Sequence, residues 1–158
     1  MTYRISGLDP TPFADAEALI AIGAIRVAAT HQPGFPCRVT LEDAAPGESL
    51  LLVNHVSHDV ATPFRAAFAI YVREGAQEAA TYVDATPPSF EHRTLGLRGF
   101  DEQAMLHDAR VALPGEANTA IEAMMADRAI AYIDVHNAAA GCFLARAERY
   151  DVCAKRGL

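Results

Sequence analysis

The most informative segment of the chain is Ala131-Tyr-Ile-Asp-Val-His-Asn-Ala-Ala-Ala-Gly-Cys-Phe143. Its apolar start predicts a strand over 130–136, and a second apolar run predicts another strand over 142–150. Small residues between the two runs predict a short turn. Strands joined by a short turn pair antiparallel. The stretch therefore predicts a hairpin with the His136 imidazole and the Cys142 thiol on either side of its turn.

The remaining sequence predicts further strands and a few helices. Thr11 is a plausible N-cap with Pro12 at the first helical position, and Gly23 ends that helix. A second clear helix is predicted over 116–126, with shorter ones over 76–82 and 101–106. Strands are predicted over 2–5, 24–28, 37–41, 49–55, 67–73, 94–100 and 110–113.

Short connectors between successive strands favour antiparallel pairing over crossover helices. We therefore predict an α+β fold, with a mainly antiparallel sheet and two or three helices packed on it. A chain of 158 residues fits one domain, so residues 1–158 are predicted to form a single domain with a frayed tail over 151–158.

Composition narrows the range of partners. The formal net charge is −7 with no basic block, which disfavours a nucleic-acid partner. No apolar run is long enough to span a bilayer and no signal peptide is evident, so we expect a cytoplasmic protein without a membrane partner. A homodimer stays among the expected assemblies.

The three cysteines and the histidines lack the spacing of a metal site. Cys37, Cys142 and Cys153 form no C-x-x-C pair, and in the cytoplasm they are expected to be reduced. His55 and His58 are three residues apart but belong to no recognised ligand motif. We expect no metal and no cofactor.

His136 and Cys142 are candidate catalytic residues, and Cys37 is a third. A nearby imidazolium favours the reactive thiolate form of a cysteine, and Asn137 could orient the imidazole or donate to an oxyanion. The alternative is that the cysteine is a small packed apolar residue, because free cysteines are usually buried.

Asp134 lies two residues before His136, so both side chains are expected on one strand face. The carboxylate could fix the tautomer of the imidazole. Alternatively this face, which also carries Tyr132, is an ordinary solvent-facing side of the strand.

Arginines supply candidate anion ligands. Arg38 ends the stiff segment Pro33-Gly-Phe-Pro-Cys-Arg38, which could hold it at a site or could be a structural corner. Arg65 and Arg98 lie in or beside predicted strands, as does Arg146. If several converge they form a carboxylate or phosphate clamp, and otherwise each is half of a surface ion pair.

Several ordered motifs resemble one known family. They are Pro33-Gly-Phe-Pro-Cys-Arg-Val39, Pro46-Gly-Glu48 with Leu50-Leu-Leu-Val-Asn54, Pro63-Phe-Arg65, Ala69-Ile-Tyr-Val-Arg-Glu74, Leu97-Arg-Gly-Phe-Asp101 and His136-Asn-Ala-Ala-Ala-Gly-Cys142. Together they resemble the bacterial domain-of-unknown-function family 1203 over nearly the whole chain. The resemblance implies a small bacterial single-domain protein and implies no activity.

The same resemblance marks candidate positions and one departure. Members often carry a histidine where this chain has Phe68, so any common site that uses that histidine is altered here. The matching positions are Cys37, Arg38, Asn54, His55, Arg65, Arg73, Arg98, Asp101, His136, Asn137 and Cys142.

Three functions remain open from the sequence. The first is a polar pocket that binds a small anionic molecule, lined by Cys37, Arg38, His55, His136, Asn137 and Cys142, with Arg65 or Arg98 assisting. The second is a thiol-dependent transferase or hydrolase that uses Cys142 or Cys37 as nucleophile and His136 as base. The third is a non-catalytic interaction protein whose cysteines are structural. Arginines converging on a cleft favour the first, and a cysteine sulfur within hydrogen-bond reach of an imidazole favours the second.

Overall fold

Antiparallel strands dominate the computed structural model, which describes residues 2–151. Short 3₁₀ turns cover Thr11–Phe13 and Pro88–Phe90. The strands and α-helices of the described residues are, in chain order, β1 (Tyr3–Ser6), α1 (Ala16–Ala21), β2 (Ile25–Ala28), β3 (Ser49–His58), β4 (Ala66–Arg73), β5 (Thr81–Val83), β6 (Leu95–Phe100), β7 (Leu106–Ala112), α2 (Ala117–Met125), β8 (Tyr132–Asn137) and β9 (Phe143–Arg149).

The strands form two sheets. Six strands make the larger sheet in the order β5-β1-β9-β8-β6-β7, and three make the smaller sheet in the order β2-β3-β4. Every neighbouring pair of these strands is antiparallel. The predicted antiparallel character is therefore confirmed, although the strands divide between two sheets and the α-helices number two in residues 2–151.

The two faces of the larger sheet differ in chemistry. One face is apolar: Ile133 and Val135 of β8 pack in a buried cluster with Ile121 and Met124 of α2. Side chains alternate along a strand, so the intervening residues of β8 lie on the opposite face. That face is polar and still buried, since Asp134 is 1% exposed and His136 is 3% exposed.

The smaller sheet covers part of this polar face. The His58 ring of β3 lies 5.7 Å from the Tyr132 ring of β8, and the Phe68 ring of β4 lies 5.0 Å from the His136 ring. Beside these contacts, Leu51 of β3 belongs to a separate apolar cluster that α1 packs against. The two sheets thus enclose a layer of polar side chains.

The predicted strand over 37–41 is a turn. Cys37 makes a single bridge to Tyr71, and the chain reverses through Leu41, whose φ is +57°. This segment therefore does not pair with β3, whose neighbours are β2 and β4. The Pro33–Arg38 segment instead crosses from the smaller sheet towards β9.

Three helix predictions also need correction. The segment 101–106 is a turn, because an Asp101 carboxylate oxygen accepts the backbone N–H groups of Gln103 and Met105. The segment 76–82 leads into β5 of the larger sheet. In the first helix Asp15, and not Thr11, is the N-cap, accepting the N–H of Ala18.

Two further observations concern the ends of the chain and its helices. The predicted frayed tail 151–158, and Cys153 within it, lie outside the described residues except for Asp151. No helix in residues 2–151 is both long and apolar enough to cross a bilayer.

Candidate functional site

A cavity of about 180 Å³ lies between the two sheets. The smaller sheet and the connection from β3 to β4 provide four of its lining residues, which are Ser57, His58, Phe64 and Ala66. The larger sheet provides the other five, which are Arg98, Phe100, Leu106, Asp134 and His136. We call this space the intersheet cavity.

Three β-bulges border the intersheet cavity. The extra residue lies next to His58 on β3, on β7 opposite Phe100 of β6, and on β9 opposite His136 of β8. A bulge inserts one extra residue and changes the direction of the neighbouring side chains, and bulges are frequent near active sites. The strand irregularities of the larger and smaller sheets therefore concentrate where polar side chains meet.

The charged residues of the cavity form a row across adjacent strands. Asp134 of β8 lies directly between Arg98 of β6 and Arg146 of β9 in the strand register. Arg146 binds both carboxylate oxygens of Asp134, at 2.6 Å and 3.1 Å. The carboxylate is thus neutralised by one arginine, and the row retains one positive charge.

That remaining charge belongs to Arg98. Its guanidinium makes no hydrogen bond or ion pair with any residue in the described range 2–151. It lies over the Phe68 ring, with 5.8 Å between Cζ and the ring centroid. Arg98 is half-buried and lines the cavity. A cation placed in this way has donors free for an anion.

His58 is held on both of its ring nitrogens. Nδ1 lies 2.8 Å from the Phe64 carbonyl oxygen, and Nε2 lies 2.6 Å from the Tyr132 hydroxyl. A carbonyl only accepts, so Nδ1 carries the proton and Nε2 accepts from the tyrosine. Burial raises the pKa of Tyr132, which keeps this hydroxyl protonated as the donor.

Among the described residues, His136 has a hydrogen-bond partner on only one of its two ring nitrogens. Nδ1 lies 2.9 Å from the Gly141 carbonyl oxygen in the turn between β8 and β9, so it too carries the proton. Nε2 has no hydrogen-bond partner within residues 2–151. Burial lowers the pKa of the His136 imidazole, and the nearby Arg98 charge acts in the same direction. The ring is therefore neutral at pH 7, with an unused acceptor nitrogen.

Two neighbours complete the surroundings of His136. Phe68 packs edge-on against the His136 imidazole and lies under the Arg98 guanidinium. This is the position at which the sequence departs from the family pattern, which often has a histidine there. Ser57 is the extra residue of the β3 bulge, and its buried hydroxyl has no partner among the described residues. Position 68 thus contacts two residues that line the cavity, and Ser57 adds a second unsatisfied polar group.

Cys142 and Arg38 form a separate cluster. The Arg38 side chain is buried, and its Nε and Nη1 atoms donate to the carbonyl oxygens of Phe143 and Pro36, at 2.8 Å and 2.6 Å. Its Nη2 donates to the Cys142 sulfur at 3.2 Å. Burial lowers the pKa of this guanidinium, which has no carboxylate partner within the described chain. Arg38 is therefore a buried link between the two sheets.

Cys37 is placed as a structural residue. It is 1% exposed, and its sulfur accepts the backbone N–H groups of Thr40 and Arg73 at 3.4 Å and 3.2 Å. Among the described residues no hydrogen bond joins the sulfur of Cys142 or Cys37 to the His136 imidazole. The structure thus pairs Cys142 with an arginine.

The other predicted ligand residues lie outside the intersheet cavity. His55 is half-buried between the rings of Phe13 and Phe143, and burial lowers its pKa. Asn137 shapes the hairpin turn, since its side-chain oxygen accepts the N–H of Ala139. Arg65 is exposed and forms an ion pair with Asp59 at 3.1 Å. Of the predicted site residues, the cavity brings together His136 and Arg98.

The polar face of β8 could have been found from the sequence in part. Tyr132, Asp134 and His136 alternate, which places them on one face, but alternation does not say whether that face meets water or a second sheet. Its burial overturns the solvent-facing interpretation. Ser57 and His58 were not predicted as lining residues, because the bulge that directs them leaves no clear sequence signal. No three metal-binding side chains cluster in residues 2–151.

Comparison with known proteins gives one match. No curated protein and no solved structure matches the chain. A family model described as protein of unknown function, DUF1203, matches residues 34–149, which include every residue that lines the intersheet cavity. The chain therefore belongs to the DUF1203 family of proteins of unknown function.

Proposed function

We propose that this protein binds a small anionic molecule in the intersheet cavity. The observation that carries the proposal is the guanidinium of Arg98, which lines the cavity without an ionic partner among the described residues. A charge-assisted bond from such a group contributes about 1.5–3 kcal/mol. Asp134 does not compete for Arg98, because Arg146 already occupies both of its oxygens.

The size of the cavity restricts the ligand. Pockets for drug-sized molecules have volumes of about 300–1,000 Å³. The intersheet cavity, at about 180 Å³, is smaller. Its aromatic walls, from Phe64 and Phe100, leave few polar contacts beyond those of Arg98, Ser57 and His136. These features favour a compact oxyanion with a short carbon skeleton.

Substitution of Arg98 tests the proposal. In a thermal-shift screen of formate, acetate, glycolate and phosphate, we expect at least one anion to raise the melting temperature of the wild type. Arg98→Met should lose that ligand-induced rise. Binding stabilises the folded state by RT ln(1 + [L]/Kd), so each variant is compared with itself without ligand.

Arg65→Met is the matched control, because it removes the same charge from an exposed site outside the cavity. It should keep the ligand-induced rise of the wild type. A rise that disappears equally in both variants would indicate general charge screening. No rise with any anion in the wild type would refute the binding function.

A second candidate function is thiol chemistry at Cys142. The buried guanidinium of Arg38 donates to its sulfur at 3.2 Å, and a cation beside a sulfur stabilises negative charge on it. Cys142 is half-buried, so a reagent can reach it, whereas Cys37 is fully buried. In this function Arg38 takes the activating role that the sequence assigns to His136.

Alkylation rates test the second candidate. Folded protein treated with iodoacetamide near neutral pH should be labelled at Cys142 faster than a cysteine in a short peptide, with Cys37 protected. Mass spectrometry of peptides after timed quenching measures both rates in one sample. Labelling of Cys142 only after unfolding would leave the cysteines as structural residues.

A further inference from the structure

The two histidines of the intersheet cavity allow a comparison within one chain. His58 and His136 each donate Nδ1–H to a backbone carbonyl, that of Phe64 and that of Gly141. In His58 the opposite nitrogen, Nε2, accepts a hydrogen bond from the Tyr132 hydroxyl, at 2.6 Å. In His136 the same nitrogen has no partner within residues 2–151.

We infer that the anion bound by Arg98 also carries a hydroxyl group, which donates its hydrogen to Nε2 of His136. The inference rests on the proposed anion-binding function and names the class of ligand, a small hydroxy acid. Its hydroxyl completes the hydrogen bonding of His136 as the Tyr132 hydroxyl completes that of His58. Its carboxylate accepts from the Arg98 guanidinium.

The strand register places the two groups at a suitable separation. Arg98 lies opposite Asp134, and His136 is two residues further along β8, so Arg98 and His136 are diagonal neighbours. Diagonal neighbours across an antiparallel pair are about 7–8 Å apart at the backbone, within reach of long side chains. The Arg98 guanidinium and the His136 imidazole can therefore bond two groups that adjacent carbon atoms of one short ligand carry.

Local space supports the same arrangement. The residue of β6 directly opposite His136 is Gly96, on the strand face that Arg98 shares. A Cβ atom at Gly96 would have no neighbour within 4 Å, so there is open space over Gly96 on this face of β6. Ser57, whose buried hydroxyl has no partner among the described residues, lines the same cavity from the smaller sheet.

Glycolate and acetate form a suitable pair of probes, because they differ by one hydroxyl. In calorimetric titrations we expect the wild type to bind glycolate roughly 3- to 10-fold more tightly than acetate, as one net hydrogen bond implies. His136→Phe keeps the aromatic contacts with Phe68 and Phe143 and should bind the two anions equally. Loss of the Gly141 bond in this variant affects both anions alike.

A measurement on the wild type avoids any folding defect of the variant. The nitrogen NMR signal of His136 Nε2 should move when glycolate is added and stay in place when acetate is added at equal saturation. Equal affinity of the wild type for both anions would overturn the hydroxyl inference and leave the anion site standing. Binding of neither anion would overturn the hydroxyl inference, and the anion-binding function would fail with it only if formate and phosphate also failed to bind. A glycolate preference that survives in His136→Phe would also overturn the inference.

Discussion

His136 is a buried, neutral imidazole whose two nitrogens have different roles. Its Nδ1–H is fixed by the Gly141 carbonyl, and its Nε2 faces no protein donor in the described chain. Arg98 has a similarly incomplete set of partners, whereas Arg146 and Asp134 satisfy each other. The candidate site therefore consists of one cation, the Arg98 guanidinium, and one hydrogen-bond acceptor, Nε2 of His136. Neither group has a hydrogen-bond partner in the described chain.

Burial of His136 makes the stability of the protein depend on pH. The pKa of the ring lies below its ordinary value of 6.5 in the folded state. Between that lowered pKa and 6.5, the unfolded chain binds a proton that the folded chain does not. The contribution of the His136 imidazole to the free energy of unfolding is therefore fully present above pH 6.5. It decreases as the pH falls below 6.5.

Urea unfolding at a series of pH values measures this decrease. His136→Phe should flatten the slope of stability against pH just below 6.5. Burial also lowers the pKa of His55, so the double variant with His55→Phe should be flatter still. A His136→Phe protein with the slope of the wild type would show that the imidazole is not buried in its neutral form.

The structure places the predicted site residues in different surroundings. The sequence predicts His136 as a base for Cys142 and Arg98 as an anion ligand, and both side chains line the intersheet cavity. The expected convergence of Arg38 with them does not occur, since its guanidinium is used by backbone carbonyls and a sulfur. Sequence alone does not reveal that the donors of a side chain will form hydrogen bonds with distant backbone groups.

Among the elements of secondary structure, β6 has one face in the apolar core and the other on the polar side of the larger sheet. Its residues alternate between the apolar core, with Leu95 and Leu97, and the polar face, with Gly96 and Arg98. Gly99 follows on the apolar side. A Cβ atom there would come within 2.9 Å of Ile130 Cδ1 and of Met124 Cε, and 3.3 Å from the Asp108 carbonyl oxygen.

The two glycines of β6 are therefore predicted to respond differently to alanine. Gly99→Ala should lower the free energy of unfolding by about 1–3 kcal/mol, because the core must move to admit the methyl group. Gly96→Ala meets no atom within 4 Å and should raise stability by about 0.4–1 kcal/mol through the unfolded chain. Chemical denaturation of both variants and the wild type measures this order, and the reverse order would contradict the described packing.

The strands were largely predictable because their periodicity is strong. The predicted strand over 67–73 matches β4 closely, and the hairpin over 130–150 matches β8 and β9. One failure falls where a side chain bonds the local backbone: Asp101 holds a turn over the segment 101–106. Side-chain bonds of this kind compete with a helix and are weak signals in a sequence.

For the whole molecule, the decisive feature is a polar layer between two sheets. The first strand of the chain, β1, lies between β5 and β9, so the larger sheet joins segments that are distant in the sequence. Periodicity reports which residues share a face and says nothing about which sheet will cover it. The sequence therefore does not predict the intersheet cavity, although it predicts His136 and Arg98, which line the cavity, as candidate site residues.

The anion site that we propose lies beside Arg98, between the two sheets. Crystals of the wild type soaked in selenate, an oxyanion located by its anomalous scattering, test for it. We expect a peak in the intersheet cavity within hydrogen-bond distance of the Arg98 guanidinium, and no such peak in Arg98→Met. Peaks confined to exposed arginines such as Arg65, with none in the cavity, would contradict it.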